Sequence, residues 1–477
     1  MRKLVLLLAA LAAGCASGPD YRRPEAAAPA TGAFVTQAPQ FDPAAPLPDD
    51  WWRLYDDPVL DDLIARAFAA NTDLRAASAN LARARAVVDE TRAGRWPLAT
   101  LSGGANYSDD NQTNQGQGGG SAQFSQNGGL SVSWELDLFG RVARAVEGAR
   151  ADAQAVEAAR DAVRVTVAAE TTRAYLDACA GAYALTVARE SVRASDETLR
   201  IVTAQERAGS VGRFDVERSA AATATARAAI PQFEGQRQVA LFELAALLGA
   251  TPSEVPDGAK ACSAPPAPLA AIPVGDGAQL LRRRPDLREA ERRLAADTAR
   301  IGVATADLYP QVSLGGSGNF FRNDAVRGSD SFSFSLGPLI SWSFSGLGGA
   351  RARIRQAEAQ ADASLATFDG RVLTALKEVE QGLALMATGQ QRLDALREAQ
   401  TRAEQAHRFA QLRYRAGSVS QLDVLVAQAD MLNARASHAS ALQRLSSSRV
   451  DLFKALGGGW RQGPEAVAPQ GGPALDD

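Results

Sequence analysis

Few residues of this 477-residue chain have the types and spacing that enzyme chemistry requires. The two histidines, His407 and His438, lie inside long helical patterns, and no Cys or His stands near either one at a metal-ligand spacing. We therefore predict that both are solvated surface residues. The glycine-rich stretch 116–120 lacks the Lys-Ser/Thr pair that a phosphate-binding loop needs. The sequence predicts no catalytic residue, no metal, no cofactor and no enzymatic activity.

One cysteine, Cys15, has the context of a modification site. A basic start at residues 1–3 is followed by an apolar run over 4–13 and by Ala-Ala-Gly directly before Cys15. This pattern predicts a signal peptide over residues 1–14 and resembles a bacterial lipobox, whose cysteine carries a covalent lipid. Ala16 is not the Asp that typically retains lipoproteins at the inner membrane, so the outer membrane is favoured. The alternative is an ordinary signal peptide with an incidental cysteine.

The other two cysteines, Cys179 and Cys262, belong to a chain that is expected to be exported, where disulfides are permitted. Counting residues along the predicted helices places both at a similar height. A bridge is therefore possible, but two isolated thiols are the favoured alternative.

Composition excludes two classes of protein. The net charge is -3, and no Lys/Arg cluster is interleaved with aromatic residues as a nucleic-acid groove requires. Beyond the start of the chain, no segment holds the roughly eighteen apolar residues of a transmembrane helix. Nucleic acid is therefore not an expected partner, and any membrane span must use another structure.

Two hairpins are predicted over residues 98–138 and 311–345, and the second strand of each alternates apolar with small or polar residues. A period of two over about ten residues has the length and pattern of a transmembrane β-strand. The residues predicted to face lipid are Val132, Trp134, Leu136, Phe332, Phe334 and Trp342.

Four such strands per chain cannot close a barrel, and an open edge in lipid leaves backbone groups unpaired. The chain is therefore expected to oligomerise. Three copies would give twelve strands, whereas two or four copies would give eight or sixteen.

Long helices are predicted over residues 140–208 and 347–416, each about 100 Å long at about 1.5 Å per residue. Apolar residues recur every seven positions at Val372, Val379, Met386 and Leu393, which is typical of a left-handed coiled coil. Shorter returning helices are predicted over 214–248 and 422–456. A further helical pattern runs from Asp57 to Arg92, and another helix precedes the second hairpin.

The block 207–216 returns as 415–424, and each copy lies between two helical patterns, so each is predicted to be the turn of a long helical hairpin. The chain thus divides into two repeats. The predicted boundaries are a lipidated N-terminal tether over 15–50, a first repeat over 51–262, a second repeat over 263–460 and a flexible tail over 461–477. The tether is predicted to be extended, because residues 19–48 are rich in Pro and Ala and have no period.

Several motifs, together with both turns, resemble the TolC-like outer membrane factors over nearly the whole chain, and within them the lipidated NodT/OprM-type channels. The motifs are Gly-Pro-Asp-Tyr at 18–21, Trp-Trp-Arg-Leu-Tyr at 51–55, Trp-Glu-Leu-Asp-Leu-Phe-Gly-Arg at 134–141 and Leu-Gly-Gly-Gly-Trp at 456–460. The resemblance implies a homotrimeric α/β-barrel, with a twelve-stranded barrel in the outer membrane continued by a helical coiled-coil barrel in the periplasm. It also implies a periplasmic adaptor protein and an inner-membrane pump, usually of the resistance-nodulation-division type, with export of drugs or other small molecules.

The resemblance also assigns roles to residues at the turns. Adaptor docking is expected at Gly209, Ser210, Val211, Gly212, Arg213, Gly417, Ser418, Val419, Ser420 and Gln421. A periplasmic constriction is expected near Asp215, Asp423, Leu422 and Val426. For the two aspartates, stabilisation of the helix start is an equally weighted alternative.

Two other functions remain open. The same architecture could serve as a duct for type I protein secretion, and a non-conducting coiled-coil lipoprotein scaffold belongs to a different class. The alternation in four strands argues against the scaffold. The lipobox and the Gly-Gly-Gly-Trp motif favour efflux, by resemblance.

Overall fold

The computed structural model describes residues 17–25, 28–108, 123–267, 271–323 and 326–459. Cys15, the expected signal peptide and the expected tail lie outside the described residues. Within the described ranges, no helix has a stretch long and apolar enough to cross a bilayer.

The chain forms two compact units, which we call the sheet unit and the helical unit. The sheet unit consists of Met1–Pro24, Asn80–Glu157 and Glu289–Asp369, and the helical unit consists of Glu25–Ala79, Ala158–Arg288 and Gly370–Asp477. The helices and strands in chain order are α1 (Ala28–Thr31), β1 (Phe41–Asp42), α2 (Pro58–Ala70), α3 (Thr72–Ala93), β2 (Leu98–Ser108), β3 (Gln123–Leu136), α4 (Arg141–Arg207), α5 (Arg213–Leu247), α6 (Asp257–Ala261), β4 (Ile272–Pro273), α7 (Gly277–Arg283), α8 (Pro285–Ala306), β5 (Gln311–Arg322), β6 (Phe332–Ser341), α9 (Leu347–Arg415) and α10 (Gln421–Ala455).

The sheet unit contains one four-stranded antiparallel sheet in the order β2-β3-β5-β6. The two predicted hairpins are therefore present, and β3 and β5 join them into a single sheet. Strands β2 and β6 form its two edges. One predicted strand residue is placed differently: β6 ends at Ser341, so Trp342 lies just past the strand.

The long helices follow the predicted pattern closely. Helix α4 has 67 residues and α9 has 69, while the returning helices α5 and α10 have 35 each. Val372, Val379, Met386 and Leu393 are all buried along α9. The seven-residue period thus marks a packed seam, as a coiled coil requires.

The predicted helix from Asp57 to Arg92 is two helices, because the chain breaks at Asn71. The Asn71 side-chain oxygen accepts hydrogen bonds from the backbone N–H groups of Asp73 and Leu74, both at 3.0 Å, and so caps α3. Its amide nitrogen donates to the Leu247 carbonyl at 3.0 Å.

The second repeat reproduces this contact with different chemistry. Arg284, at the break between α7 and α8, donates to the Ala455 carbonyl at 3.1 Å. Leu247 and Ala455 are the last residues of their returning helices, where backbone carbonyls have no partner within the helix. In each repeat, a side chain at a helix break therefore satisfies the end of the returning helix.

Residues 28–50, predicted as part of an extended tether, are packed into the helical unit. Strand β1 pairs in parallel with β4, and Phe34, Phe41 and Leu47 are buried. The backbone N–H groups of Val35 and Thr36 donate to the Glu380 carboxylate at 2.5 and 3.1 Å. The prediction of an extended tether is wrong for this segment, because its apolar residues are buried in the helical unit.

The preference for two isolated thiols is also wrong. Cys179, buried in α4, forms a disulfide with Cys262, which follows α6, and their Cα atoms are 5.1 Å apart. The bond fastens the connection between the two repeats to a long helix.

Candidate functional site

One face of the four-stranded sheet is apolar across all its strands. Residues paired across antiparallel strands point to the same face, and the register pairs Trp134 with Leu314, and Phe332 with Phe320. Val132 and Leu136 lie on this face too, and Phe334, also on it, is 89% exposed. An exposed apolar surface that extends over several strands is typical of a surface that contacts a membrane or another protein.

The opposite face is polar and small. Ser131, Ser133, Ser333 and Ser335 lie on it, and the Ser335 hydroxyl is 2.9 Å from that of Ser317 on the neighbouring strand. The sheet therefore separates an apolar surface from a polar one, as the alternation predicts.

The two equivalent tryptophans at one end of the apolar face make the same contact. The indole N–H of Trp134 donates to the Arg95 carbonyl at 2.9 Å, and that of Trp342 donates to the Leu308 carbonyl at 3.2 Å. An indole with an apolar body and a satisfied N–H suits a boundary between apolar and wet surroundings. The repeat is thus preserved here even though Trp342 lies beyond β6.

The acidic residues near this end have structural roles. The Glu135 carboxylate accepts hydrogen bonds from the Arg141 guanidinium. Asp137 accepts from the backbone N–H groups of Val142 and Ala143 at 2.9 and 2.7 Å, and so caps the start of α4. Both side chains stabilise the junction between strand and helix, and the position of Asp137 just before the helix is the sequence signal for this role.

The two turns, which we call the tips, have the same backbone structure. Gly209 and Gly417 have φ angles of 75° and 72°, a region that favours glycine. The backbone N–H and the hydroxyl of Ser210 both donate to the Gln205 carbonyl, as those of Ser418 do to the Arg413 carbonyl. This is the glycine-terminated helix end that the sequence predicts.

The helix starts after the tips differ in detail. Asp423 accepts hydrogen bonds from the Ser420 hydroxyl at 2.7 Å and from its backbone N–H at 2.8 Å, and these bonds lower the pKa of Asp423. In the first copy Gly212 has no hydroxyl, and its backbone N–H donates to Asp215 at 3.3 Å. Both aspartates thus cap their own helices. A role at a constriction remains a prediction.

The other constriction candidates, Leu422 and Val426, lie one helical turn apart on α10, and both are exposed. In the first repeat, Phe214 corresponds in sequence to Leu422 and is exposed too, and Arg218 corresponds to Val426.

A contact that the sequence did not predict links the two hairpins near the tips. The Tyr414 hydroxyl donates to the Gln205 side-chain oxygen at 2.9 Å.

A second missed feature is the N-terminal clasp, which we define as residues 17–21 within the sheet unit. The Ser17 hydroxyl lies 2.6 Å from the Phe139 carbonyl oxygen and 3.2 Å from that of Gly302. Arg144, 5% exposed, donates to the Ser17 carbonyl and to the Asp20 carboxylate. The expected tether is therefore held from Ser17 onwards.

Tyr21 completes the clasp. Its hydroxyl donates to the Glu291 carboxylate at 3.0 Å, and burial followed by the Glu291 charge raises the pKa of Tyr21 to about 12. Gly18, at φ 86°, packs so closely on Gly302 that an added Cβ atom would lie 2.5 Å from the Gly302 Cα atom. The Gly-Pro-Asp-Tyr motif thus forms a specific contact with both repeats.

The prediction of two solvated histidines is wrong. His407 is 7% exposed, and its Nε2 atom is 3.2 Å from the Gln411 amide nitrogen. Burial and then the Arg435 charge lower the pKa of His407, while Glu404 binds Arg435 at 2.8 Å. His438 is half-buried, and burial followed by the Arg397 charge lowers its pKa as well.

The buried histidine predicts an acid sensitivity. Because the folded-state pKa of His407 lies below its ordinary value near 6.5, the unfolded chain binds a proton more readily. Stability is therefore complete above about pH 6.5 and falls as the pH falls through the folded pKa. Thermal unfolding measured by circular dichroism at pH 7.5 and 5.5 should show a smaller acid loss for His407→Gln than for the wild type. Equal losses would contradict the assignment, since carboxylates titrate alike in both proteins.

A sheet with one apolar and one polar face, in a chain with two long helical hairpins, defines a class of membrane channel protein. The family model described as outer membrane efflux protein matches residues 63–250 and 277–458. The chain belongs to this family, whose members are channels and not enzymes.

Individual relatives agree over nearly the whole length. The toluene efflux pump outer membrane protein TtgC of Pseudomonas putida is 32% identical, with 96% of both chains covered. Nodulation protein T of Rhizobium leguminosarum bv. trifolii is 31% identical over 94% of this chain and 96% of that protein. The solved structure of the outer-membrane channel OprN has a TM-score of 0.85 at 35% identity, covering 94% of this chain and all of that one. The predicted resemblance is confirmed.

Proposed function

We propose that this protein is the outer membrane duct of a tripartite efflux system, which carries drugs or other small molecules out of the cell. The observation that carries the proposal is the sheet, with one face that has apolar residues on all four strands and suits lipid, and a serine-rich face that suits a wet lumen. Relatives of similar length that are named as efflux pump outer membrane proteins support it.

The functional form is a homotrimer. Strands β2 and β6 each have one side without a partner strand within the sheet, and such edges are costly in lipid. All neighbouring strands are antiparallel, so β6 of one copy can pair with β2 of the next in the same sense. Three copies would close twelve strands into a barrel, and the long helices would form the periplasmic duct.

The N-terminal clasp supports the expected lipid anchor. Ser17 is held where α4 begins, so Cys15, two residues earlier, would carry its acyl chains close to the end of the apolar face. The clasp would thus place the anchor beside the outer membrane surface that the sheet occupies.

The tips are the proposed contact with a periplasmic adaptor protein, which would couple the duct to an inner-membrane pump of the resistance-nodulation-division type. Adding a Cβ atom to Gly209, Gly212 or Gly417 would meet no atom within 4 Å, so these backbones are open to a partner. The residues Ser210, Val211, Arg213, Ser418, Val419, Ser420 and Gln421 complete the two surfaces. Gly212 of the first tip corresponds in sequence to Ser420 of the second tip. The two surfaces are therefore unlike and would alternate around the trimer.

The duct is tested by reconstituting the full-length protein in planar lipid bilayers. We expect discrete single-channel currents, with strand content retained by circular dichroism. Absence of current from a folded trimer would favour the non-conducting scaffold. In cells, deletion of the gene should raise susceptibility to small toxic compounds, whereas loss of one secreted protein instead would indicate type I secretion.

The docking surfaces are tested with Gly209→Trp and Gly417→Trp combined. The large side chains project outwards from the tips, so we expect channel currents to persist while adaptor crosslinking falls about tenfold and drug susceptibility rises. The positive φ angles add about 1–2 kcal/mol of local strain per site. Normal efflux by a folded trimer would refute the docking role.

Two controls separate bulk from strain. Alanine at both tip positions carries the backbone strain without the bulk and should retain crosslinking. Gly370→Trp adds the same bulk at a helical glycine that also has no atom within 4 Å of an added Cβ. This variant should behave as the wild type.

A further inference from the structure

The two repeats meet inside one chain where α4 of the first repeat packs beside α10 of the second, a contact that we call the internal seam. The Arg173 guanidinium donates to the Asp451 carboxylate, and the Lys454 ammonium donates to the Glu170 carboxylate at 2.9 Å. Charged side chains on α4 are thus matched by charged side chains on α10.

Asp177 continues the internal seam one turn further along α4. Its carboxylate oxygen lies 3.5 Å from the Gln443 amide nitrogen and 3.5 Å from the Ser447 hydroxyl, both on α10. The internal seam is therefore polar at this level, where two hydrogen-bond donors face one carboxylate.

The repeat predicts a second seam of the same kind. An offset of 208 residues carries α10 (Gln421–Ala455) onto α5 (Arg213–Leu247) residue for residue, and it carries α4 onto α9. The second seam would therefore join an α9 to an α5. In the single chain α5 binds α4 instead, since Arg227 of α5 donates to Asp196 of α4 at 2.7 Å.

The residues of this second seam are exposed in the single chain. The offset assigns Leu385 to the position of Asp177, Gly235 to that of Gln443 and Val239 to that of Ser447. Leu385 is 62% exposed and Val239 is 68% exposed. A Cβ atom added to Gly235 would meet no atom within 4 Å. The chain therefore presents both halves of the second seam uncovered.

The three positions change their chemistry together. An aspartate, a glutamine and a serine in the internal seam are replaced by a leucine, a glycine and a valine. Gly235 and Val239 lie one helical turn apart on α5, so they share a face and leave a hole beside an apolar side chain. A leucine on a facing helix can insert into such a hole, as the side chains of coiled coils do.

The neighbouring positions complete a polar border. Gln381 on α9 takes the position of Arg173, and Glu243 on α5 takes the position of Asp451. Both are exposed, and the Gln381 amide can donate to the Glu243 carboxylate. The second seam would therefore have an apolar centre and a matched polar pair beside it.

We propose that α9 of one copy packs beside α5 of a second copy of this chain, with Leu385 inserted against Gly235 and Val239 of that second copy. This rests on the proposed function, which supplies the trimer, and it adds the side chains and the register of the contact. The second repeat of one copy meets the first repeat of the next, in the same order as in the proposed pairing of β6 with β2. A contact between two first repeats would instead place Asp177 against Val239, so the chemistry of the seam also selects the partner.

The register is tested by disulfide crosslinking of the full-length variant L385C/V239C in detergent. After oxidation we expect most of the protein to run as a covalent trimer on a denaturing gel and to return to monomer with dithiothreitol. L385C alone and V239C alone should remain monomeric on the gel. L385C/A246C moves one thiol two turns along α5, by about 10 Å, which exceeds the reach of a disulfide, so it should give about tenfold less covalent trimer.

The chemistry is tested by transferring the internal seam to the contact between copies. L385D sets a carboxylate against the apolar pair, so we expect the dissociation constant of the trimer, measured by sedimentation in detergent, to rise about tenfold or more. L385D/G235Q/V239S reproduces the residues of the internal seam and should recover most of the affinity. The matched control T186D adds a carboxylate at an exposed position of α4 whose repeat counterpart is the exposed Asp394, and it should assemble as the wild type.

Two results would overturn the proposal. One is a yield of covalent trimer from L385C/V239C no higher than that from L385C/A246C. The other is assembly of L385D/G235Q/V239S as weak as that of L385D, with helical circular dichroism unchanged. Single-channel currents of the wild type are recorded alongside. Either result from a protein whose wild type conducts would refute this seam alone, whereas absence of wild-type currents would refute the proposed duct.

Discussion

Replacing Cys179 and Cys262 together by serine is expected to lower the free energy of unfolding of the helical unit by about 4 kcal/mol. The two residues are 83 positions apart, so the disulfide closes a long loop and removes many conformations from the unfolded chain. Cys179 is buried in α4, and Ala259, three residues before the half-buried Cys262, is buried as well, so the folded segment has little freedom to relax after the bond is lost.

The measurement is thermal or urea unfolding of the purified full-length protein, followed by helical circular dichroism. Wild-type protein treated with dithiothreitol should lose the same stability, and the double variant should not respond to the reductant. The variant C179A/C262A controls for the hydroxyl that serine would bury at position 179. Equal melting of oxidised and reduced wild type would contradict the prediction.

The sheet shows which features a sequence specifies locally. Side chains alternate with a period of two, so each strand indicates its own apolar face without reference to its neighbours. Val132 and Phe334 therefore share the predicted face. The pairing of β3 with β5 depends on residues almost two hundred positions apart, and alternation within each hairpin carries no information about it.

The disulfide and the burial of the two histidines are features that depend on tertiary structure and that the sequence analysis predicted wrongly. Counting along helices gives the height of a thiol but not its direction around the helix axis, and a disulfide needs both. For His407 a usable signal was present. The seven-residue period from Val372 to Leu393 continues through Gln400 to His407, so the buried seam reaches this residue. At this heptad position the spacing, and not the polar type of the residue, indicates burial.

The N-terminal clasp shows that amino-acid composition alone does not predict whether a segment packs against the rest of the fold. A Pro- and Ala-rich segment without a period predicts an extended chain, yet Ser17 and Asp20 contact Arg144, which lies far along the sequence. The Gly-Pro-Asp-Tyr motif indicates the family, but the motif alone does not indicate which residues it contacts. Those contacts depend on the packing of both repeats.

Replacing Arg284 by alanine is expected to cost about 3 kcal/mol of stability in the helical unit. Its side chain is 10% exposed and binds Asp286 through two nitrogens, at 2.8 and 2.9 Å. It also binds Glu378 at 2.8 Å and the terminal carbonyl of α10 at Ala455. Its removal would leave a partly buried carboxylate and a helix end without their donor at the same time.

Three further experiments separate the effect of the Arg284 hydrogen-bond network from the loss of an arginine as such. Arg282→Ala changes an exposed arginine two residues earlier and should cost no more than about 0.5 kcal/mol. Arg284→Lys keeps a charge but not the fork that reaches Asp286, Glu378 and the carbonyl together, so it should lose an intermediate amount. In a double-mutant cycle, Asp286→Asn added to Arg284→Ala should recover part of the loss. Strict additivity of the two changes would contradict the coupling.

The pH dependence gives a second test of the same pair. Burial alone would raise the pKa of Asp286, but the hydrogen bonds and charge of Arg284 outweigh it and hold that pKa below its ordinary value of 3.8. The contribution of the pair is therefore complete above about pH 4 and is lost as the pH falls through the folded pKa. The stability difference between wild type and Arg284→Ala should be constant from pH 7 to 5 and should narrow below pH 4. A difference that stayed constant down to pH 3 would show that Arg284 acts through packing and the Ala455 carbonyl, and not through the Asp286 charge.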